Sequence, residues 1–168
     1  YKNIEILIAD TGSSEENLDK IKNKYTQEFI KIIEYDYYHF AEINNDVVNN
    51  HVSSDTELLL FSNNDVELIN DAISEMVNLW SKNKKRCGTV RYTYPFDNMI
   101  GTIGNTAAFV LISKSLFKDV GMFNEDYMEC LEDVELNLAC ALKGKLNCFA
   151  GNAVGYHYES ITRKTDGK

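Results

Sequence analysis

The chain has 168 residues, 44% hydrophobic and 26% charged, with one Pro and a net charge of −9. That is globular composition, at a length that fits one domain able to bury roughly two-thirds of its unfolded surface, so folding needs no disulfide or metal. The acidic balance excludes nucleic-acid binding, which needs a basic face, and leaves at most a peripheral membrane association. No apolar run approaches the ~18 residues of a membrane span, and no signal peptide opens the chain. Opening on Tyr1-Lys2-Asn3-Ile4, the sequence is expected to be an excised piece of a longer protein. Cys87, Cys130, Cys140 and Cys148 form no Cys-x-x-Cys pair and read as reduced, mostly buried thiols, which suits the cytoplasm.

In chain order, Ile4–Ala9 reads as a strand ending at the turn cluster Asp10-Thr11-Gly12-Ser13. Ser13 with Glu16 reads as a capping box for a helix from about Glu15 to Tyr25. Ile30–Tyr35 is a second strand and Phe40–Asn50 a helix with Phe40, Ile43 and Val47 on one face. Glu57–Phe61, continuously apolar, predicts a central parallel strand buried on both faces, ending at Ser62-Asn63-Asn64-Asp65. Ile69, Ile73, Met76, Val77 and Trp80 follow helical spacing. Cys87–Tyr92 is a strand, Thr93–Thr106 a loop, Ala107–Ile112 a strand and Ser113–Val120 a short helix. Leu131, Val134, Leu138 and Leu142 mark the expected buried face of a helix that Gly144 ends. Short strands follow at Asn147–Ala150 and Ala153–His157, then a polar tail. The alternation predicts an α/β fold with a mostly parallel central sheet covered on both faces, whose ligands bind at the carboxyl ends of strands. Asp10 and Asp65 both fall at such ends.

Asp65 can hold Mg²⁺ or Mn²⁺, which usually take one or two protein carboxylates plus substrate phosphates. On composition alone Asn63-Asn64-Asp65 reads more readily as a turn. Glu132-Asp133 opens a helix, where the dipole favours the ionised form a general base needs; ordinary first-turn acidic enrichment gives the same pattern. Only one of the pair can reach a substrate, because adjacent helix positions diverge by ~100°. His157, between Tyr156 and Tyr158, is either a metal ligand or structural. Asp10 can accept from a base N–H or a ribose hydroxyl, or simply shape a turn. His39 and His51 read as unpaired surface residues. Gly101-Thr102-Ile103-Gly104 is neither a dinucleotide fingerprint nor a Walker loop.

The order of these segments resembles the family 2 glycosyltransferases. Ile8-Ala9-Asp10-Thr11-Gly12-Ser13 matches the family's Asp-Asp/Asn-Gly-Ser segment, and Phe40-Ala41-Glu42-Ile43-Asn44-Asn45 its Phe-Ser-x-x-x-Asn. Leu58–Glu67 matches the apolar strand with Asn-Asn/Asp-Asp-Val-Glu. Gly121-Met122-Phe123-Asn124-Glu125 matches Gly-Gly-Phe-Asp-Glu, and Glu132-Asp133-Val134-Glu135-Leu136 matches Glu-Asp-Val-Asp-Leu. His157-Tyr158-Glu159-Ser160-Ile161-Thr162-Arg163 matches His-His-Glu-Ser-x-x-Arg. The resemblance covers nearly the whole chain. It implies a three-layer α/β/α GT-A (Rossmann-like) fold, forming a single catalytic domain over 1–168 whose first strand is missing ahead of Tyr1.

It further implies an enzyme of cell-surface polysaccharide biosynthesis. That enzyme inverts the anomeric centre of an NDP-sugar, a UDP-sugar first, in transfer to a glycan or lipid-linked acceptor. Asp10, Thr11, Asn45, Asn63, Asn64 and Asp65 would hold the nucleotide sugar. Asp65 and His157 would hold a divalent cation, Mn²⁺ or Mg²⁺, and Asp133 would be the base, with Glu132 beside it. Thr11, Val47 and Asn124 depart from the family pattern, and Ala139-Cys140-Ala141 lacks its usual Arg. The competing expectation is a non-catalytic, degenerate transferase-like domain that binds a glycan or a partner protein. A nucleotidyltransferase would want a Gly-rich, Lys/Arg-bearing loop after its first strand, and none is visible.

Overall fold

A computed structural model describes residues 3–69, 71–93, 105–128 and 130–158. Most of the expected 93–106 loop, the polar tail and the motif residues from Glu159 to Arg163 lie outside them. The chain divides into two compact units, one of Tyr1–Asp55 and Phe123–Glu132, the other of Thr56–Met122 and Asp133–Lys168.

In the first unit, β1 (Ile6–Asp10), α1 (Glu15–Lys24), β2 (Ile30–Glu34) and α2 (Phe40–Asn50) follow one another. β1 and β2 pair in parallel, Ile6 opposite Ile30 and Asp10 opposite Glu34, so both strands finish at the same end. α1 is capped by Ser14, whose Oγ accepts from Asn17 N at 3.4 Å. The expected cap, Ser13, is one residue early because Asp10 engages it instead. α2 is capped by His39, whose Nδ1 accepts from Glu42 N at 3.3 Å. His39 is therefore a half-buried cap and not a surface residue. α2 buries Ala41, Ile43, Asn45 and Val48; Val47, expected on that face, is only half-buried.

The second unit contains β3 (Leu58–Ser62), β4 (Val66–Ile69), α3 (Ala72–Lys82), β5 (Cys87–Thr93), β6 (Phe109–Ser113), α4 (Lys114–Asp119) and β7 (Leu146–His157), with α5 (Glu132–Leu142) before β7. Its sheet has the order β3-β6-β5-β7-β4. Only β5 and β7 run parallel; β3–β6, β5–β6 and β4–β7 are antiparallel. β3, expected at the centre, is an edge strand of this sheet, and its burial alternates. β4 went unforeseen: its four residues are too few for periodicity to register, and Ile69 belongs to it instead of to the helix. The two short strands expected after Asn147 are one strand, β7, which pairs with β5 between Leu146 and Val154 and with β4 from Val154 to His157.

The core of this sheet packs Met76 and Trp80 of α3 against Val90, Tyr92, Phe109 and Leu111. α5 reverses the expected orientation. Leu131, Val134, Leu138 and Leu142 stand 52–81% exposed, while Leu136, Asn137 and Cys140 are buried. Helical periodicity marks a stripe but cannot say whether the stripe faces inward. Of the thiols, Cys87 and Cys140 are buried, Cys148 half-buried and Cys130 exposed, none in a disulfide. Burial pushes the Cys87 thiol up to about 12 and Cys140 to about 11.

Truncation separates a buried position on α3 from an exposed one on α5. Met76→Ala, at a fully buried side chain, is expected to cost ~2–5 kcal/mol. Leu138→Ala should stay within about 0.5 kcal/mol, as at other surface positions. Urea unfolding of both variants checks this; a Leu138→Ala loss as large as that of Met76→Ala would restore the inward-facing stripe.

Candidate active site

Asp10 is the last residue of β1. Its Oδ2 accepts from Ser13 N at 3.1 Å and Gly12 N at 3.3 Å, so the carboxylate curls the following turn around itself. Its backbone carbonyl accepts from Tyr35 N at 2.8 Å. The Ser13 hydroxyl, then the Ser13 and Gly12 N–H groups, hold the Asp10 carboxyl below its ordinary value despite burial. A cleft of about 370 Å³ opens here, lined by Asp10, Gly12, Ser13, Leu18, Glu34, Tyr35 and Asp36. It lies where two parallel strands end, the usual ligand position of such sheets. Three carboxylates line it, so it suits neutral groups that donate hydrogen bonds, such as base N–H and sugar hydroxyls, and repels bare phosphate. Thr11 is exposed beside it in the chain.

The β2 end went unread in the sequence. Tyr35 donates to Asp46 Oδ2 at 2.6 Å, and burial followed by that bond raises its phenol above the ordinary value. Asn45 is buried, with Nδ2 donating to Phe123 O at 2.8 Å and Glu125 Oε1 at 2.9 Å, while its Oδ1 accepts from Phe123 N at 3.1 Å. Its amide thus fastens the Phe123–Glu125 turn to α2.

In the second unit, Asn63-Asn64-Asp65 connects β3 to β4. Asn63 N donates to Ala108 O at 2.7 Å, extending the β3–β6 ladder, and Tyr158 N donates to Asp65 O at 2.9 Å. Asn64 is exposed and Asn63 half-buried. Val66 pairs with His157 across β4 and β7, which brings Asp65 Oδ1 to 3.1 Å from His157 Nε2. That Oδ1 is buried and receives no hydrogen bond among the described residues. A buried carboxylate oxygen without a partner is costly; a protonated His157 or a cation held between the two would satisfy it. Two donors each about 2.1 Å from one octahedral ion, at right angles, stand about 3 Å apart, so the pair fits Mg²⁺ or Mn²⁺. Among the described residues no group of three or more His, Cys, Asp or Glu side chains could hold an ion. The pair therefore suits an ion completed by substrate oxygens.

Glu132 and Asp133 open α5, as expected. Glu132 is buried. Asp133 is half-buried, and its Oδ2 accepts from Ala107 N at 3.1 Å. Oδ1 carries no hydrogen bond among the described residues. One oxygen is anchored and the other is open to take a proton.

No protein-family model matches the chain. The O-antigen biosynthesis protein RfbC of Myxococcus xanthus is 22% identical over 204 aligned residues, covering 99% of this chain and 16% of that protein. Among solved structures, GalNAc-T7 with UDP, GalNAc and Mn²⁺ superposes with a TM-score of 0.74 at 11% identity over 92% of this chain and 38% of that one. The mannosyltransferase PcManGT of Pyrobaculum calidifontis, in complex with GDP-Man and Mn²⁺, gives 0.75 at 14% over 94% and 48%. TarS of S. aureus gives 0.60 at 12% over 90% and 29%. These likenesses establish the fold: the chain has the α/β GT-A fold of glycosyltransferases. It spans less than half the length of each of these proteins. Among the described residues, no helix is long and apolar enough to cross a membrane.

Acid stability follows from the carboxylates of the first unit. Asp10 and Asp46 are both held below their ordinary value, Asp46 first by the Tyr35 hydroxyl and then by Asn50. A depressed carboxyl stabilises the folded chain fully above its unfolded pKa and stops doing so as pH falls through the folded value. Stability should therefore decline below about pH 5. Ser13→Ala should move the Asp10 titration upward while leaving that of Asp46 in place. Side-chain carboxyl ¹³C shifts read both; an Asp10 titration at the ordinary value in the unaltered chain contradicts the assignment.

Proposed function

We propose that the chain is the donor-binding and catalytic part of a glycosyltransferase that moves a sugar from an NDP-sugar, UDP-sugar first, onto a glycan or lipid-linked acceptor in cell-surface polysaccharide assembly, working in the cytoplasm. The observation that carries this is the Asp65–His157 pair, whose buried Oδ1 accepts no hydrogen bond among the described residues and stands 3.1 Å from His157 Nε2, on a GT-A fold. Asp10 takes the nucleoside, accepting from base or ribose in a cleft too acidic for phosphate. Asp65 and His157 hold the divalent cation, Mn²⁺ or Mg²⁺, and Asn63 and Asn64 offer amide donors beside it. When bound, the ion stabilises charge on the departing diphosphate as a Lewis acid. Thr11 flanks the nucleoside, and Asn45 supports the site through the turn it fastens.

Asp133 is the base. The acceptor hydroxyl gives its proton to Asp133 Oδ1 while Oδ2 stays on the Ala107 N–H. The acceptor oxygen bonds to the anomeric carbon as that carbon's bond to the diphosphate oxygen breaks on the opposite face. One displacement inverts the centre. Glu132, buried at the adjacent position, helps seat the start of α5. The open Asp133 oxygen speaks for catalysis over a purely binding domain.

Calorimetric titration with UDP should give binding that depends on Mn²⁺, and Asp65→Ala should remove the dependence. Binding that ignores the metal in both proteins would sink the metal assignment and favour the non-catalytic alternative. Asp133→Asn should lower kcat by ~10²–10⁴-fold, the usual worth of a positioned general base, with UDP affinity kept. Full turnover in that variant removes Asp133 from the mechanism.

A further inference from the structure

Behind Asp133 lies a cluster of polar side chains that the mechanism above does not use. Thr89 on β5, Asn105 before β6 and Asn137 on α5 are 0–2% exposed, and half-buried Asn147 on β7 completes the group. Thr89 Oγ1 lies 2.7 Å from Asn137 Oδ1 and 3.0 Å from Asn147 Oδ1, and accepts from Asn105 Nδ2 at 2.8 Å. Asn105 Nδ2 also reaches Cys148 O at 3.2 Å. Asn147 Oδ1 accepts from Thr89 N at 3.2 Å, and Asn147 Nδ2 donates to Asn137 O at 2.9 Å. Gly88 makes room, since a Cβ there would sit 2.6 Å from Asn147 Oδ1.

The cluster has a direction. Asn137 is one helical turn after Asp133, and its Nδ2 donates both to Asp133 O at 2.6 Å and to Asn105 O at 2.8 Å. Two residues beyond Asn105, Ala107 N donates to the Asp133 carboxylate. The start of α5 and the segment 105–107 are therefore tied twice, once through the Asn137 amide and once through Asp133 itself. Thr89 holds both asparagines of the first tie to the sheet. A connected network of buried polar groups fixes one arrangement, because each member has partners only in that arrangement.

We infer that Thr89, Asn105, Asn137 and Asn147 form a positioning device that keeps Asp133 Oδ2 on the Ala107 N–H and so presents Oδ1 to the acceptor hydroxyl. The inference rests on the reading of Asp133 as base. It makes Asn137 and Thr89 positioning residues that never touch substrate. Displacing a base by about 1 Å costs ~10²-fold in rate without changing what the donor contacts.

The test uses the full chain, with UDP-sugar turnover and amide hydrogen exchange measured on the same proteins. Thr89→Val keeps the shape and removes the hydroxyl; Thr89→Ser keeps the hydroxyl. Thr89→Val should lower kcat by ~10–100-fold with donor KM changed less than about twofold. It should also speed exchange at Ala107 N–H while Leu111 N–H in β6 stays protected. Thr89→Ser should restore both. Unchanged kcat and unchanged Ala107 exchange in Thr89→Val overturn the inference. So does a uniform loss of protection with kcat and KM moving together, which marks ordinary core damage. If Thr89→Val does not fold, Asn147→Ser at the half-buried rim replaces it with the same two readouts. Ala107 exchange decides the matter where turnover is too slow to measure. It also separates the two readings: an active Asp133→Asn removes the base, whereas slow Ala107 exchange in Thr89→Val removes the device.

Discussion

The pairing of Val66 with His157 is the contact on which the proposed metal-binding pair depends. Asp65 and His157 are far apart in the chain, and only the antiparallel register of β4 against β7 makes them neighbours. The register is held from both sides. Tyr158 N reaches back to Asp65 O, and the Tyr158 hydroxyl donates to the Glu67 carboxylate. Gly155 is a condition for it: a Cβ there would come within 2.9 Å of the Tyr92 ring and 3.1 Å of Glu67 O. A slip by one residue would send His157 to the other face of the sheet and leave Asp65 alone. β7 lies between β5 and β4, with irregular register against β5 between Arg91 and Thr93, and Val154 pairs with both Thr93 and Ile69.

Charge limits what each acidic cluster can bind. On the proposed reading a chain of net charge −9 would meet a donor that is itself an anion. In the proposed function the Asp10 cleft offers its carboxylates to the nucleoside, an uncharged part of the donor that carries hydrogen-bond donors. In the same proposal the Asp65–His157 pair, its atoms 3.1 Å apart, would hold a cation and so turn local negative charge into a means of holding phosphate. The same acidity that disfavours nucleic acid is compatible with the proposed nucleotide ligand, provided metal and nucleoside are handled by different residues.

Much of this was legible in the sequence, and the parts that were not share a cause. The bounds of α2, the end of β1 at Asp10 and the start of α5 at Glu132 are written in local chemistry: caps, turns and acidic first turns. Asp65 and His157 stood out as residue types able to bind metal, and the resemblance joined them. What depends on partners elsewhere in the chain was not legible. β4 is too short to show a period. The strand ending at Phe61 is apolar enough for a sheet centre, yet pairs at one edge of its sheet. Ser13 satisfied the spacing of a capping box, but Asp10 competes for it and Ser14 takes the cap. Glu34, Tyr35 and Asp36 join Asp10 only because β1 and β2 are in parallel register.

The orientation of α5 is the point at which stability and positioning visibly part. Asn137 and Leu138 are adjacent, about 100° apart around the helix. A helix set for apolar burial would be rolled to place Leu138, with Val134 and Leu142, against the sheet, and Asn137 would face water. The chain does the opposite, exposing the three apolar residues and burying the amide. Burying the Asn137 amide is tolerable because Thr89 Oγ1 meets its Oδ1 and the Asn105 and Asp133 carbonyls accept from its Nδ2. Asn147 Nδ2 adds a bond to the Asn137 backbone carbonyl, so two strands and a loop agree on one roll of the helix, the roll that lays the Asp133 carboxylate on the Ala107 N–H. Local departures from the most stable arrangement are expected where geometry serves chemistry, and here the departure sits one helical turn behind the proposed base.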